Sequence, residues 1–381
     1  MGQQRCRILF VTSYDARLVD SLNTDRSTIR LLKDFLLRYE DMCDLFLFTG
    51  DTRKFELASA IEHVPSALFQ KFGIWHLSYT VLSAFKVAKR LKGNALVRGL
   101  SAACPGAIVA AKVKKKPSVV FYEYNWAHQV THVNKGKIVG ALATLIEDYV
   151  IKNADVLVTR NKPLETELYE RGAKSVTIIP LTVNEDIFKP GIDPSELKKM
   201  YGVREEKIIV FVGRLHPVKR PDLLLRAVAK LNEHFKLFIV GTGALEGELK
   251  ETAKSLGIAE KVIFTGAIDH AEVPKYMNMA DVVVMTSSAE GQPRVLLEAM
   301  SCGTPAVGTN VLGIKDTIDD GVTGYLASDD PDDIASKISE ALANAAFPKM
   351  CRAIALEKYS NEACAMKERQ LFKELLALGN K

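Results

Sequence analysis

Short apolar runs alternate with amphipathic stretches of helix length along the chain, and they do so in two series separated by a pause. In the first series, Arg7–Ser13, Leu45–Thr49, Ser118–Tyr122 and Val156–Thr159 read as strands. Ser27–Tyr39, Val81–Leu91, Ala107–Val113, Lys137–Asn153 and Lys162–Arg171 read as helices between them. Strands alternating with helices imply a parallel sheet covered by helices on both faces. The pause, Pro180 to Pro194, is rich in Pro, Asp, Asn and Gly, the composition of a linker. The second series has strands at Lys207–Val212, Lys236–Val240, Val262–Thr265, Asp281–Met285 and Pro305–Gly308. Its helices are Pro221–His234, Leu245–Leu256, about Pro293–Ser301 and Ile334–Leu342, followed by a terminal helical group. The expectation is an α/β protein of two facing Rossmann-like, doubly wound domains, residues 1–184 and 185–381. The last helix is expected to pack back toward the first domain. A length of 381 residues is more than one ordinary domain needs.

Composition narrows the class. Apolar residues at 48 % and charged residues at 25 % are ordinary for a globular chain and argue against disorder. No stretch reaches the ~18 apolar residues that span a bilayer. The apolar run after Arg7 is too short for the core of a signal peptide. Six scattered cysteines without a CxxC pair fit a reducing compartment, so a cytoplasmic location is expected. Charge is uneven: residues 1–184 carry 26 Lys and Arg against 17 Asp and Glu, and the remainder 25 against 29. This asymmetry is consistent with domains that meet different partners, and equally with ordinary variation of surfaces.

In open α/β sheets ligands bind beyond the carboxyl ends of the strands, so the loops after strands are the places to look, and with two such domains the cleft between them is the expected site. The first informative loop runs Gly213-Arg214-Leu215-His216-Pro217-Val218-Lys219-Arg220-Pro221. Gly213 suits a tight turn. Arg214 offers a planar fork and Lys219 a point charge, a pair able to offset a diphosphate; a solvated basic loop has the same composition. The second loop, Gly241-Thr242-Gly243, follows a strand and precedes a helix. It lacks the third glycine of the dinucleotide fingerprint and fits a plain turn as well as a phosphate-approaching one. The third loop is the strongest: Thr286-Ser287-Ser288-Ala289-Glu290-Gly291-Gln292-Pro293-Arg294-Val295, with Glu298 three residues on. Pro293 suits a first helical position, and the N–H groups behind it suit an anion. Glu290 and Glu298 stand about two helical turns apart, and carboxylates accept sugar hydroxyls well.

The set Gly213-Arg214…Lys219, Glu290-Gly291-x-Pro293 and Glu298-Ala299-Met300 resembles the family 4 glycosyltransferases. The likeness continues through Ile187-Phe188-Lys189-Pro190, Cys302-Gly-Thr-Pro-Ala-Val307 and Gly321-Val-Thr-Gly-Tyr-Leu326. The resemblance implies the GT-B fold and transfer of a sugar from a UDP- or GDP-linked donor to a glycan or lipid-linked acceptor, with retention of configuration and no metal or cofactor. By the same resemblance Arg214 and Lys219 would bind the diphosphate and Glu290 the transferred sugar. Glu298 would hold the ribose, and the backbone from Gly266 to Ile268 would edge the base. Gly213, Gly291, Gln292, Arg294 and Val295 complete the expected donor site. Fixed cations at a leaving diphosphate lower the barrier by stabilising the charge that develops there.

The chain departs from the family's pattern in its first half. Thr12-Ser-Tyr-Asp-Ala-Arg17 has no paired-glycine loop, and the linker reads Leu181-Thr-Val-Asn184. His128, in Glu123-Tyr-Asn-Trp-Ala-His128, is the nearest candidate for the family's first-domain histidine; a loop histidine is as readily structural. Asp330-Pro331-Asp332 spells a metal-binding DxD but precedes a helical run and suits a helix cap. Two other readings share the fold. A nucleotide-sugar 2-epimerase would need paired acid and base residues, which the second half lacks. A non-catalytic nucleotide-sugar-binding module is the other. Residues 72–92 and the cluster Lys112, Lys114–Lys116 mix apolar, aromatic and basic side chains, which suits peripheral membrane contact as well as a core helix with a solvated end. No nucleic-acid partner is expected.

Overall fold

The computed structural model describes residues 6–12, 43–49, 60–63, 84–100, 104–122, 127 and 137–378. Most of its strands are runs of Val, Ile, Leu and Phe, the pattern of parallel strands in a covered sheet. The first sheet contains β1 (Cys6–Thr12), β2 (Cys43–Thr49), β3 (Ala60–His63), β4 (Ala95–Leu100), β5 (Ser118–Phe121), β6 (Val156–Thr159) and β7 (Val176–Ile178). They lie in the order β3-β2-β1-β4-β5-β6-β7, with every neighbouring pair parallel. Ile8 stands opposite Leu45 on one side and Leu96 on the other.

The second sheet contains β8 (Lys207–Val212), β9 (Phe235–Val240), β10 (Val262–Gly266), β11 (Val282–Met285), β12 (Ala306–Thr309) and β13 (Gly324–Ala327). Its order, β10-β9-β8-β11-β12-β13, is again parallel throughout. Counted from its own first strand, this is the 3-2-1-4-5-6 order of the doubly wound fold, and the strand order reverses between β8 and β11. Its core is the interleaved set Ile209, Val210, Phe211, Phe238, Val283 and Leu297, all essentially excluded from solvent.

The chain divides into two compact units, Met1–Ile179 with Ala365–Lys381, and Pro180–Cys364. The final helix, Asn361–Leu378, therefore begins in the second unit and continues in the first.

Several elements carry no usable pattern. Strand β3 (Ala-Ile-Glu-His) is a short polar edge, and β7 has three residues. Strand β4 has Arg98 at its centre, which breaks the apolar run. The structure buries that charge against Glu368 at 3.4 Å and over the Phe121 ring at 3.7 Å. Helix Pro221–Val228 ends six residues before the expected His234. Its last turn tightens: Lys230 N donates to Ala227 O and Leu231 N to Val228 O, the short bonds that close a helix terminus. The expected helix Ser27–Tyr39 lies outside the described residues. Among the described residues, no helix is long and apolar enough to cross a membrane.

Candidate active site

The carboxyl ends of β8 and β11 flank the point where the strand order reverses, and the first and third loops leave the sheet there. The β8 loop runs from Gly213 into a single 3-10 turn, Pro217–Lys219. His216 starts that turn, its Nδ1 accepting the Val218 N–H at 3.3 Å. The turn aims Lys219 at the β11 loop, where its ammonium pairs with Glu290. Both side chains are half-buried or better, at 23 % and 13 % exposure, so the pair sits at a wall rather than in bulk solvent. Ser287 Oγ donates to the same Glu290 oxygen at 2.7 Å. Ser287 is buried, and its carbonyl accepts the Thr309 hydroxyl at 2.6 Å, so the residue holding Glu290 is itself held by β12.

Arg220, the next residue, has left-handed backbone angles, φ 44° and ψ 52°. A non-glycine residue there is strained. Its guanidinium ties the turn down. Nε donates to Thr286 O at 2.9 Å, and the two terminal nitrogens reach the Asp329 carboxylate at 2.8 and 2.5 Å. The Thr286 hydroxyl lies 3.1 Å from Lys219 O and 2.8 Å from Arg220 O. The hydrogen bond to Asp329 holds the Arg220 guanidinium above its usual range, and the same bond holds Asp329 below the usual carboxylate range. One strap thus joins the loops after β8, β11 and β13.

The second loop buttresses the first. Gly241 sits at φ +133°, and a Cβ there would stand 2.0 Å from the Gly213 carbonyl oxygen. Leu215 N donates to Thr242 O at 2.9 Å. The glycine permits close packing of two loops. Gly213 itself needs no glycine conformation: its φ is ordinary, and a Cβ would meet the Phe211 ring at 3.6 Å, normal contact. The expected tight turn is therefore a correction. A second close approach lies behind Glu290. At Gly313, φ +83°, a Cβ would be 2.4 Å from the carbonyl oxygens of Glu290 and Gly291.

The other expected residues divide. Arg214 is exposed on the β8 loop. Gly291 and Arg294 are exposed beside the start of helix Arg294–Ser301, whose cap is Pro293, one position ahead of the expected one. Gln292 Oε1 accepts the Leu181 N–H at 2.6 Å, tying the third loop to the linker. Val295 packs partly into the core. Glu298 is buried and shares a 3.2 Å hydrogen bond with His270 Nε2, while the Phe188 ring meets the His270 ring edge-on at 5.3 Å. Glu290 and Glu298 thus have different partners, and Glu298 with His270 is a histidine–carboxylate pair in the second half that the sequence did not reveal. Gly266, at φ +73°, ends β10, and its carbonyl accepts Gly241 N; Ile268 packs against the core just beyond. His128 lies outside the described residues. Asp330 accepts the Asp332 N–H at 3.1 Å and caps helix Pro331–Ala343, while Asp332 pairs with Lys230 at 2.7 Å.

Ser287, Arg220, Asp329, Gly313 and His270 are additions to the set. Only Ser287 carried a signal, as one of the small hydroxyl residues ending β11. The pairings of the others join segments distant in sequence.

Residues 195–358 match the family model for glycosyl transferases group 1. A D-inositol 3-phosphate glycosyltransferase of Geodermatophilus obscurus is 33 % identical over 214 residues, 52 % of this chain and 47 % of that protein. The N-acetyl-alpha-D-glucosaminyl L-malate synthase of Bacillus anthracis is 34 % identical over 181 residues, 46 % of this chain and 47 % of its own. The chain spans about half the length of the curated relatives it matches. Among solved structures, Anabaena Alr3699/HepE in complex with UDP covers 97 % of the chain and all of its own length, with a TM-score of 0.73 and 18 % identity. That likeness carries the fold, which is the expected GT-B class. All the pairings around Lys219, Glu290 and Arg220 fall inside the matched segment.

Proposed function

We propose that the chain is a retaining glycosyltransferase that moves a sugar from a nucleotide-diphosphate-sugar donor to an acceptor glycan or lipid-linked glycan, without metal or cofactor, in the cytoplasm. A UDP-sugar is the first donor to try, since UDP is the ligand bound to Alr3699/HepE. One observation carries the reading: Lys219 and Glu290, 71 residues apart, meet at the strand-order reversal, with Arg214 on the same loop. In this reading the donor diphosphate draws the Lys219 ammonium away from Glu290. Arg214 and Lys219 then stabilise the charge that develops on the departing diphosphate. Glu290, still held by Ser287, is released to accept a hydroxyl of the transferred sugar. Glu298 takes the ribose hydroxyls, and the backbone from Gly266 to Ile268 borders the base. Retention of configuration and independence from metal come with the family resemblance.

Incubation of the chain with UDP- and GDP-sugars and mixed acceptors tests the reading. A transfer product supports it; an epimerised donor, or binding without turnover, supports one of the two alternatives. Lys219→Ala and Arg214→Ala are each expected to lower kcat about a hundredfold, roughly 3 kcal/mol of lost stabilisation, with the far-UV spectrum unchanged. Near-parent rates in both variants would sink the diphosphate assignment. Chelator is expected to leave the rate unchanged; loss restored by Mn²⁺ would overturn the metal-free part.

A further inference from the structure

Helices Pro105–Val113 and Lys137–Asn153 follow β4 and β5, which lie side by side in the first sheet. Right-handed crossovers put both helices on the same face of that sheet. They pack against each other, and the Lys112 ammonium bonds the Asn153 amide oxygen across the gap. Their inward sides are spent on the core, through Ala107, Ile108 and Ala111 on one and Ala143, Val150 and Ile151 on the other. Yet their outward sides are apolar as well. Leu142, Leu145 and Tyr149 are spaced three and four apart, which aligns them on one stripe, and they are 53 %, 67 % and 36 % exposed. Val109 and Val113, 40 % and 70 % exposed, form the matching stripe on the neighbouring helix. A second apolar stripe does nothing for folding once the first covers the core, and contiguous exposed apolar surface marks an interaction site.

The charge around this surface is predominantly basic; Asp155, the acid beside the lysine end, pairs with Lys174 at 3.7 Å. Residues 84–122 contain nine Lys and Arg, of which Arg98 is buried against Glu368, and no Asp or Glu. Lys112, Lys114, Lys115 and Lys152 are exposed at the ends of the two helices. The acidic residues of helix Lys137–Asn153 are turned elsewhere: Glu147 is buried, and both Glu147 and Asp148 bind Arg171 at 2.7 Å. Among the described residues of these helices, then, apolar knobs stand inside a lysine rim.

We propose that this face docks on an anionic lipid surface, the apolar side chains entering the boundary between headgroups and acyl chains and the lysines meeting lipid phosphates. Charge decides the occupant. A second copy of the chain in a two-fold pairing would bring lysine rim against lysine rim, and a nucleic acid would match the lysines but leave the leucines in water. An anionic bilayer satisfies both. The surface lies wholly in the first unit and differs from the segment 72–92, of which 72–83 are outside the described residues. It is independent of the donor chemistry proposed above.

Co-sedimentation of the full chain with phosphatidylcholine vesicles, with and without about 30 % phosphatidylglycerol, tests this. Binding is expected only with phosphatidylglycerol, and it should fade in about 1 M salt, where the Debye length shrinks to about 3 Å. Lys114→Ser with Lys152→Ser is expected to weaken partitioning roughly 25-fold, about fivefold per lysine. Leu142→Ser with Leu145→Ser is expected to weaken it at least about tenfold. All four positions are exposed, so thermal unfolding of the variants should match the parent. Vesicle binding that survives the leucine changes would overturn the docking face in favour of diffuse surface charge. Absence of binding to any vesicle at low salt would overturn it outright. So would a parent dimer that the leucine changes dissociate without any effect on lipid.

Discussion

Lys219 and Glu290 were legible as separate residues because each lies in a loop whose neighbours have strong local character: Gly213 and Pro221 around one, Gly291 and Pro293 around the other. Their pairing was not legible, since nothing at either position records a partner 71 residues away. Arg220 shows the same limit more sharply. In sequence it is one more basic residue beside Lys219; in the structure it is a strained turn residue fixed by Asp329, 109 positions on. The strap has a consequence in pH. Asp329 is held below the usual carboxylate range by its hydrogen bond to Arg220, so the bond adds stability above the ordinary Asp value of about 3.9. That contribution is lost as pH falls through the depressed value. Asp329→Asn is therefore expected to melt below the parent at pH near 7, with the gap closing below about pH 4. Thermal unfolding of both proteins across that range checks it, and a gap that is constant with pH would contradict the ionic character of the strap.

Elements were readable in proportion to their length and burial. Strands β8, β9 and β11 each contain a run of at least four apolar residues. Strands β3, β4 and β7 are respectively polar, interrupted by Arg98, and three residues long, so each lacks a pattern. The contacts between loops were harder still. The glycines of the second loop fitted either a phosphate turn or a plain one, and the structure gives Gly241 a different task, letting its loop lie against Gly213. A methyl group there would meet a carbonyl oxygen at 2.0 Å in a backbone conformation that side chains rarely adopt. Gly241→Ala is thus expected to cost about 2 kcal/mol or more and to displace the loop that carries Arg214. Urea unfolding with the slope unchanged and a lower midpoint is the expected readout, together with a raised donor KM. A parent-like midpoint would mean that the two loops separate at little cost.

At the scale of the molecule, the first unit is completed by the far end of the chain. Arg98 and Glu368 meet with side chains only 8 % and 5 % exposed, across 270 residues of sequence. Removing one partner of a buried pair leaves a desolvated charge with less compensation, so Glu368→Ala is expected to destabilise the first unit by about 3 kcal/mol. Both tryptophans, Trp75 and Trp126, fall within the sequence range of the first unit, and tryptophan fluorescence is the readout. The fluorescence transition is expected to fall by roughly 6–12 °C. An unchanged transition would assign the final helix no part in the first unit's stability. The alternation of apolar runs with amphipathic ones and the Pro- and Gly-rich linker were enough to determine two parallel α/β sheets, because periodicity and turn chemistry are local, and the glycosyltransferase-like second half came from the resemblance of its loop motifs to family 4. Only the tertiary structure decided that Lys219 faces Glu290, that Arg220 is a strap, that Glu298 meets His270 and that Glu368 of the last helix pairs with Arg98. Those are pairings between distant segments, and no local pattern in the sequence records them.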